Sequence, residues 1–160
     1  MTAPQKNGGN GFRLSIILPA YNEEKRIGKT MERVVRCVKG LAFPSEVIVV
    51  DDGSEDETRN IVNGFIRQEP SVHLRLIPGQ HRGKGAAIRA GVLASGGDCI
   101  LFTDADLSTP LDLIDAFIER IGSGRADVVI ASREVAGARR YREPMTRKIA
   151  SRIFNLVVRT

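Results

Sequence analysis

A chain of 160 residues with 42% hydrophobic, 27% charged and 5% aromatic residues has the size and balance of one globular domain, which excludes collagen-like, disulfide-scaffold and wholly disordered classes. Its two cysteines, Cys37 and Cys99, lie far apart in apolar runs, as reduced buried thiols do in a cytosolic protein. The net charge of +5 is local: residues 133–160 hold eight basic and two acidic residues, so residues 1–132 sum to −1 and the basic arm suits phosphate, anionic lipid or nucleic acid.

Residues 1–12 are polar and glycine-rich and read as a disordered lead-in, with neither a signal peptide nor anywhere a span of about 18 apolar residues. The expected location is therefore cytoplasmic, with peripheral membrane association through the basic arm. The first strand is expected at 13–19 (RLSIILP). Asn22 then suits an N-cap, with Glu23 and Glu24 in the first turn and Ile27, Met31, Val34, Val35 and Val38 at helical spacing before Gly40. A second strand is expected at 46–50. Ser54 and Glu57 have the spacing of a capping box launching a helix to Arg67, buried through Ile61, Val62, Phe65 and Ile66. The third strand is expected at 72–77, a helix at 84–95 and the fourth strand at 99–103. Thr109-Pro110 then opens a helix carrying Asp112 and Asp115 near its positive end, and a fifth strand is expected at 127–131.

Strands alternating with helices imply an α/β fold, a mostly parallel sheet covered on both faces, because parallel neighbours need long crossovers. Residues 13–143 form the expected domain. Residues 144–160 read as a basic amphipathic helix, with Ile149, Ile153, Leu156 and Val157 on one side and Arg147, Lys148, Arg152 and Arg159 largely elsewhere. It either packs on the sheet or lies at a membrane interface. Thr160 follows an apolar run without a stop signal, so the fold is expected to continue past it.

Ligands of open α/β sheets bind beyond the carboxyl ends of the strands. There this sequence places Pro19-Ala20-Tyr21-Asn22-Glu23, Asp51-Asp52-Gly53-Ser54, Asp104-Ala105-Asp106 and Ser132-Arg133. Two carboxylates one residue apart repel each other unless a cation sits between them, and hard oxygen donors favour Mg²⁺ or Mn²⁺ completed by water and substrate phosphates. The plainer reading is that Asp104 and Asp106 cap the next helix, but Thr109 already stands at that position. Asp51 and Asp52 suit hydrogen bonds from ribose or a nucleobase, or else merely line a helix-start loop. Tyr21 suits a cover for the base. Arg82-Gly83-Lys84-Gly85 opens a helix with a cation and a close-approach backbone where a diphosphate fits, or is a flexible loop with a solvated lysine. It is not a P-loop, since Gly79 and Gly83 enclose three residues and Gly85 follows Lys84. His73 and His81 have no metal spacing and read as incidental.

These motifs resemble the family 2 glycosyltransferases of GT-A fold. The resemblance runs through SIILPAYNEEKRI, EVIVVDDGSEDET, GKGAAIRAGVLASGGDCILFTDADLSTP, ADVVIASRE and REPMTRKIASRIFNLVVR. FTDADLSTP and the basic last helix look most like the dolichyl-phosphate glucosyltransferase branch, close to the dolichyl-phosphate mannose synthases. The resemblance implies transfer of one hexose, glucose from UDP-glucose or mannose from GDP-mannose, to a polyprenyl or dolichyl phosphate at a membrane surface, by inverting displacement and without nucleic acid. It implies that Pro19, Tyr21, Glu23, Val50 and Asp52 surround the nucleoside, that Asp104, Ala105 and Asp106 hold metal and diphosphate, and that Arg133 meets phosphate charge. Lys84 adds a cation for the diphosphate, and Arg139, Arg140, Arg147 and Arg152 suit acceptor phosphate and membrane. Family members also continue into a Gly-Phe-Lys-type segment that is missing here.

Two other classes compete. Asp104-Ala105-Asp106-Leu107-Ser108 fits the DxDx[ST] string of aspartate-nucleophile phosphatases, but it follows the fourth strand where those enzymes carry it on the first. A non-catalytic membrane or nucleic-acid binder driven by the basic arm would bind salt-sensitively and ignore nucleotide sugars.

Overall fold

The computed structural model describes residues 13–131, which fall almost wholly in one compact unit ending at Val129. Arg133, Arg139, Arg140, Arg147 and Arg152, the lead-in and the expected helix 144–160 lie outside the described residues.

Four parallel strands make one sheet in the order β3-β2-β1-β4: β1 (Leu14–Ala20), β2 (Ser45–Asp51), β3 (His73–Pro78) and β4 (Cys99–Phe102). The two central strands read as near-continuous apolar runs because both of their faces are covered. On β1, Leu14, Ile16, Leu18 and Ala20 face one layer, joined by Val47 and Val49 of β2. Ile17, Ile48 and Val50 face the other.

Helices α1 (Ile27–Gly40), α2 (Thr58–Gln68) and α4 (Ile114–Gly122), the last entered through a short 3-10 turn at Leu111–Leu113, cover the first face. Their stripes, Ile27, Met31, Val34, Val35 and Val38, then Val62, then Leu111, Ile114 and Ile118, close a single core with the sheet. Helix α3 (Lys84–Ala94) covers the second face with small residues, Ala87 and Gly91. A β-carbon at Gly91 would come within 2.5 Å of an Ile17 methyl, so glycine sets how closely α3 sits.

Four expectations change. Helix α1 begins at Ile27 and not beside Asn22. Asn22 lies in the left-handed region at φ 52°, and its side chain accepts the Glu55 N–H while its own N–H donates to Ser54 Oγ. Ser54 is therefore spent across the molecule, and α2 begins at Thr58 with no side-chain cap. Likewise Thr109 caps nothing, and Pro110 precedes the 3-10 turn in an extended conformation. The expected fifth strand is not a strand: among the described residues nothing pairs with 127–131, and Val128 and Ile130 are 77% and 83% exposed. A β-branched run shows that a segment suits a pleated surface, but a strand also needs a partner.

The ladder between β1 and β4 ends for a chemical reason. Cys99 N–H donates to the Arg13 carbonyl and Thr103 N–H to the Ile17 carbonyl, so the odd residues of β1 face β4. The next donor on that edge would be residue 19, and proline has none. Beyond Ile17 the chain after β4 is free to leave the sheet, while Asp52 N–H still reaches the Ala20 carbonyl on the β2 side. The opening falls where the strand order reverses, which is where open α/β sheets bind ligands.

Candidate active site

The opening is a cleft of about 370 Å³ bordered by the ends of β1, β2 and β4 and by the loop into α3. Pro19, Tyr21, Glu23, Asp52, Lys84, Asp104, Ala105 and Asp106 all line it. Val50 does not: it is buried under α3. Ala20, Arg26, His81 and Gly83 line the cleft as well.

Asp51 and Asp52 diverge although they are neighbours. Asp51 is fully buried, and its carboxylate accepts the N–H groups of Gly53 and Ser54 and the Arg59 Nε at 2.5 Å. It holds its own loop and offers nothing to a ligand. Asp52 accepts Arg82 N–H at 2.9 Å and Gly83 N–H at 2.8 Å, with His81 Nδ1 3.1 Å away. Burial pushes its carboxyl upward, but the two amides, helped by His81, outweigh this and hold it below the ordinary carboxylate value. Asp52 thus stays ionised and fixes the loop that starts α3. Close approach of backbone completes the fixation, since a β-carbon at Gly53, whose φ is +84°, would lie 2.7 Å from His81 N.

The His81 ring stacks on Tyr21, centroids 4.0 Å apart and planes 23° apart. His81 is therefore not incidental. Nothing in its sequence position signals this contact, which joins two crossover loops. Arg26 is the second residue that the sequence did not reveal. Its guanidinium is gripped by Glu23 through Nε to Oε2 at 2.6 Å and Nη2 to Oε1 at 2.9 Å. The three-residue spacing of Glu23 and Arg26 is the one sequence signal available for it.

The acidic turn is set by its surroundings. Leu107 N–H bonds to the Asp104 carbonyl, Ser108 N–H to Asp106 Oδ1, and the Ala105 carbonyl accepts the buried Thr30 hydroxyl. Leu107 adopts φ 50°, which costs a residue with a β-carbon about 1–2 kcal/mol. Burial of its side chain in the α1-face core offsets that cost. Asp104 is half-exposed and Asp106 exposed. Neither caps α4. Asp104 is not unpaired, because Lys84 Nζ forms an ion pair with its Oδ1.

Among the described residues no three or more His, Cys, Asp or Glu gather into a metal-ligand set. A closed protein cage for Zn²⁺ is thus absent there. Two accessible carboxylates on one short turn, with open cleft beside them, do fit a hard divalent ion that draws its other ligands from water and substrate oxygens.

A family model, Glycosyl transferase family 2, matches residues 15–158. The chain belongs to this family. It is 34% identical over 137 residues to a dolichyl-phosphate beta-glucosyltransferase of Dictyostelium discoideum, covering 80% of this chain and 42% of the relative. The chain spans somewhat under half the length of the curated relatives it matches. Among solved structures it is similar to the mannosyltransferase PcManGT from Pyrobaculum calidifontis in complex with GDP-Man and Mn²⁺, at 28% identity and TM-score 0.53, covering 71% of this chain and 32% of that one. It is also similar to glucosyl-3-phosphoglycerate synthase from Mycobacterium tuberculosis in complex with Mn²⁺, UDP and phosphoglyceric acid, at 27% identity and TM-score 0.55, covering 71% and 40%. The α/β sheet is that of the GT-A glycosyltransferases. Among the described residues no helix is long and apolar enough to cross a membrane.

Proposed function

We propose that this chain carries the donor-binding half of a glycosyltransferase that moves one hexose, glucose from UDP-glucose, onto a polyprenyl or dolichyl phosphate at a membrane surface. The observation that carries the proposal is the convergence of Tyr21, Asp52, Lys84 and the Asp104–Asp106 turn on one cleft at the strand-order reversal. Family membership favours this over the phosphatase and nucleic-acid readings.

In this reading Tyr21 offers the base an aromatic face and Asp52 a fixed acceptor for a base or ribose donor. Lys84, at the first turn of α3, meets the diphosphate, where a helix N-terminus already favours negative charge. Asp104 and Asp106 are the residues to hold Mg²⁺ or Mn²⁺. Such an ion, when bound, neutralises the charge that grows on a diphosphate leaving group. An acceptor phosphate oxygen attacks the anomeric carbon, the bond from that carbon to the diphosphate oxygen breaks with its electron pair leaving on the nucleotide, and the configuration inverts. The acceptor is already ionised, its second pKa being about 6, so no strong base is required. Arg133, Arg139, Arg140, Arg147 and Arg152 are proposed to attract the acceptor phosphate and the anionic bilayer, at about 1 kcal/mol for each basic residue near the surface.

Calorimetric titration of UDP-glucose and GDP-mannose, each with and without Mg²⁺ or Mn²⁺, tests this on the chain and on Asp106→Asn. The expected result is metal-dependent binding of UDP-glucose that the substitution removes. Equal binding by wild type and variant overturns the role of Asp106, and preference for GDP-mannose overturns the donor.

A further inference from the structure

Four carboxylates line the cleft, Glu23, Asp52, Asp104 and Asp106, and the first three meet partners of different kinds. Glu23 is closed by the two-point grip of Arg26, and Asp52 by backbone amides that hold a loop together. Asp104 has a partner of another kind: the mobile end of a lysine, with side chains 57% and 44% exposed for Lys84 and Asp104. Arg26 also lies in the field of Asp106. Its guanidinium is held above the ordinary value first by the hydrogen bonds and charge of Glu23 and to a smaller extent by Asp106.

We infer that Lys84 is a resident counter-ion of Asp104 that a divalent cation must displace, and that the displaced ammonium then binds the donor diphosphate. The inference rests on the donor and metal reading above and adds an order of events to it. Three observations support it. The pair is half-exposed, and such pairs are weak and exchangeable. Lysine is a compact charge on a flexible four-carbon stem, and here its backbone is anchored, because Asp52 pins the two preceding amides, while its head is held by that half-exposed pair. The charges point the same way. A divalent ion arriving alone meets a carboxylate pair already half-neutralised and an adjacent like charge. One arriving with a diphosphate brings a new acceptor for the ammonium, so metal and donor bind better together than apart.

This predicts opposite signs for one substitution, which a merely structural lysine does not give. Mn²⁺ binding is followed by electron paramagnetic resonance of the free ion on wild type, Lys84→Met, Asp104→Asn and Asp106→Asn, and UDP binding is then measured at saturating Mn²⁺. Lys84→Met should bind Mn²⁺ alone about five- to tenfold more tightly, as expected when a nearby like charge is removed at a half-exposed site. The same variant should bind UDP several-fold more weakly. If Lys84→Met binds Mn²⁺ no better than wild type while Asp104→Asn loses it, the counter-ion role is overturned and the metal reading stands. If it gains Mn²⁺ affinity but binds UDP as wild type does, the diphosphate role is overturned. If wild type binds Mn²⁺ no better than Asp104→Asn and Asp106→Asn, the metal reading falls and this inference falls with it.

Discussion

The two ends of the same four strands treat a carboxylate in opposite ways. At the amino end, Glu46 on β2 is 2% exposed and both of its oxygens are bonded: Ser15 Oγ at 2.6 Å, Gly96 N–H at 2.7 Å and Arg75 Nη2 at 2.9 Å. Ser15 Oγ in turn accepts Gly97 N–H. This network ties the turn between α3 and β4 to the two central strands and buries the carboxylate away from any ligand. At the carboxyl rim, Asp104 and Asp106 are accessible and, among the described residues, the Asp104 carboxylate is met by the end of a flexible side chain. A carboxylate becomes a fastener when the protein satisfies it completely, and a binding group when its partner can leave. Asp51 and Asp52 mark the border, the first wholly consumed and the second anchored but facing the cleft.

The largest effect on stability is expected at the amino end. Glu46→Ala strands the buried Ser15 hydroxyl and the Gly96 amide, at about 2–4 kcal/mol in chemical denaturation. Acid tests the same network. Burial pushes the Glu46 carboxyl up, but the Gly96 amide, the Ser15 hydroxyl and the Arg75 guanidinium outweigh it and leave it below the ordinary value. A carboxyl depressed in the folded state contributes stability that is complete above its unfolded value and is lost as pH falls through its folded one. Wild type should therefore lose stability as the pH drops below about 4, the ordinary carboxylate range. Glu46→Gln should show a shallower loss. Equal slopes for the two proteins would remove Glu46 from the acid response.

Next in size is a change at the rim's backbone. Gly53→Ala forces a β-carbon onto φ +84° and against His81 N, at about 1–3 kcal/mol. Its consequence is local as well as global: the loop carrying His81 must shift, and the Tyr21–His81 stack loosens. Weaker UDP binding is expected to accompany the lost stability. Unchanged affinity would mean that the rim does not need a fixed loop, and the contrast between rigid backbone and exchangeable charge would fail.

How far these features are legible in the sequence depends on how local their causes are. The strands β1 and β2 are legible because a strand buried on both faces must be apolar throughout. The helix starts are not. Asn22 and Ser54 look like caps, but they spend their polar groups on each other's loops, 32 residues apart in sequence. The rim is legible because topology alone sends the strand ends to one side, and the acidic residues stand there as neighbours. His81 is invisible because its stacking partner, Tyr21, lies in another crossover, and Arg26 shows only its three-residue spacing from Glu23, with nothing local to place it in the field of Asp106. Val50 shows the converse: the family resemblance implies a site residue, but the alternation of a strand turns it toward α3.

The smallest expected change in stability belongs to Asp106→Asn, and it divides the two ends most cleanly. Asp106 is exposed, and among the described residues its side chain accepts one hydrogen bond, from Ser108 N–H to Oδ1, which an amide oxygen accepts equally well. Loss of the charge also leaves Arg26 with its main partner, Glu23. Stability should change by no more than about 0.5 kcal/mol, as for an ordinary surface substitution, which thermal unfolding reads as a shift within about 2 °C. Removing one of two carboxylates from the proposed divalent-ion site is a different matter, and metal-dependent donor binding should disappear while the fold stands. A large loss of stability in Asp106→Asn would instead make the acidic turn a second fastener like Glu46, and the distinction between the two ends of the sheet would no longer hold.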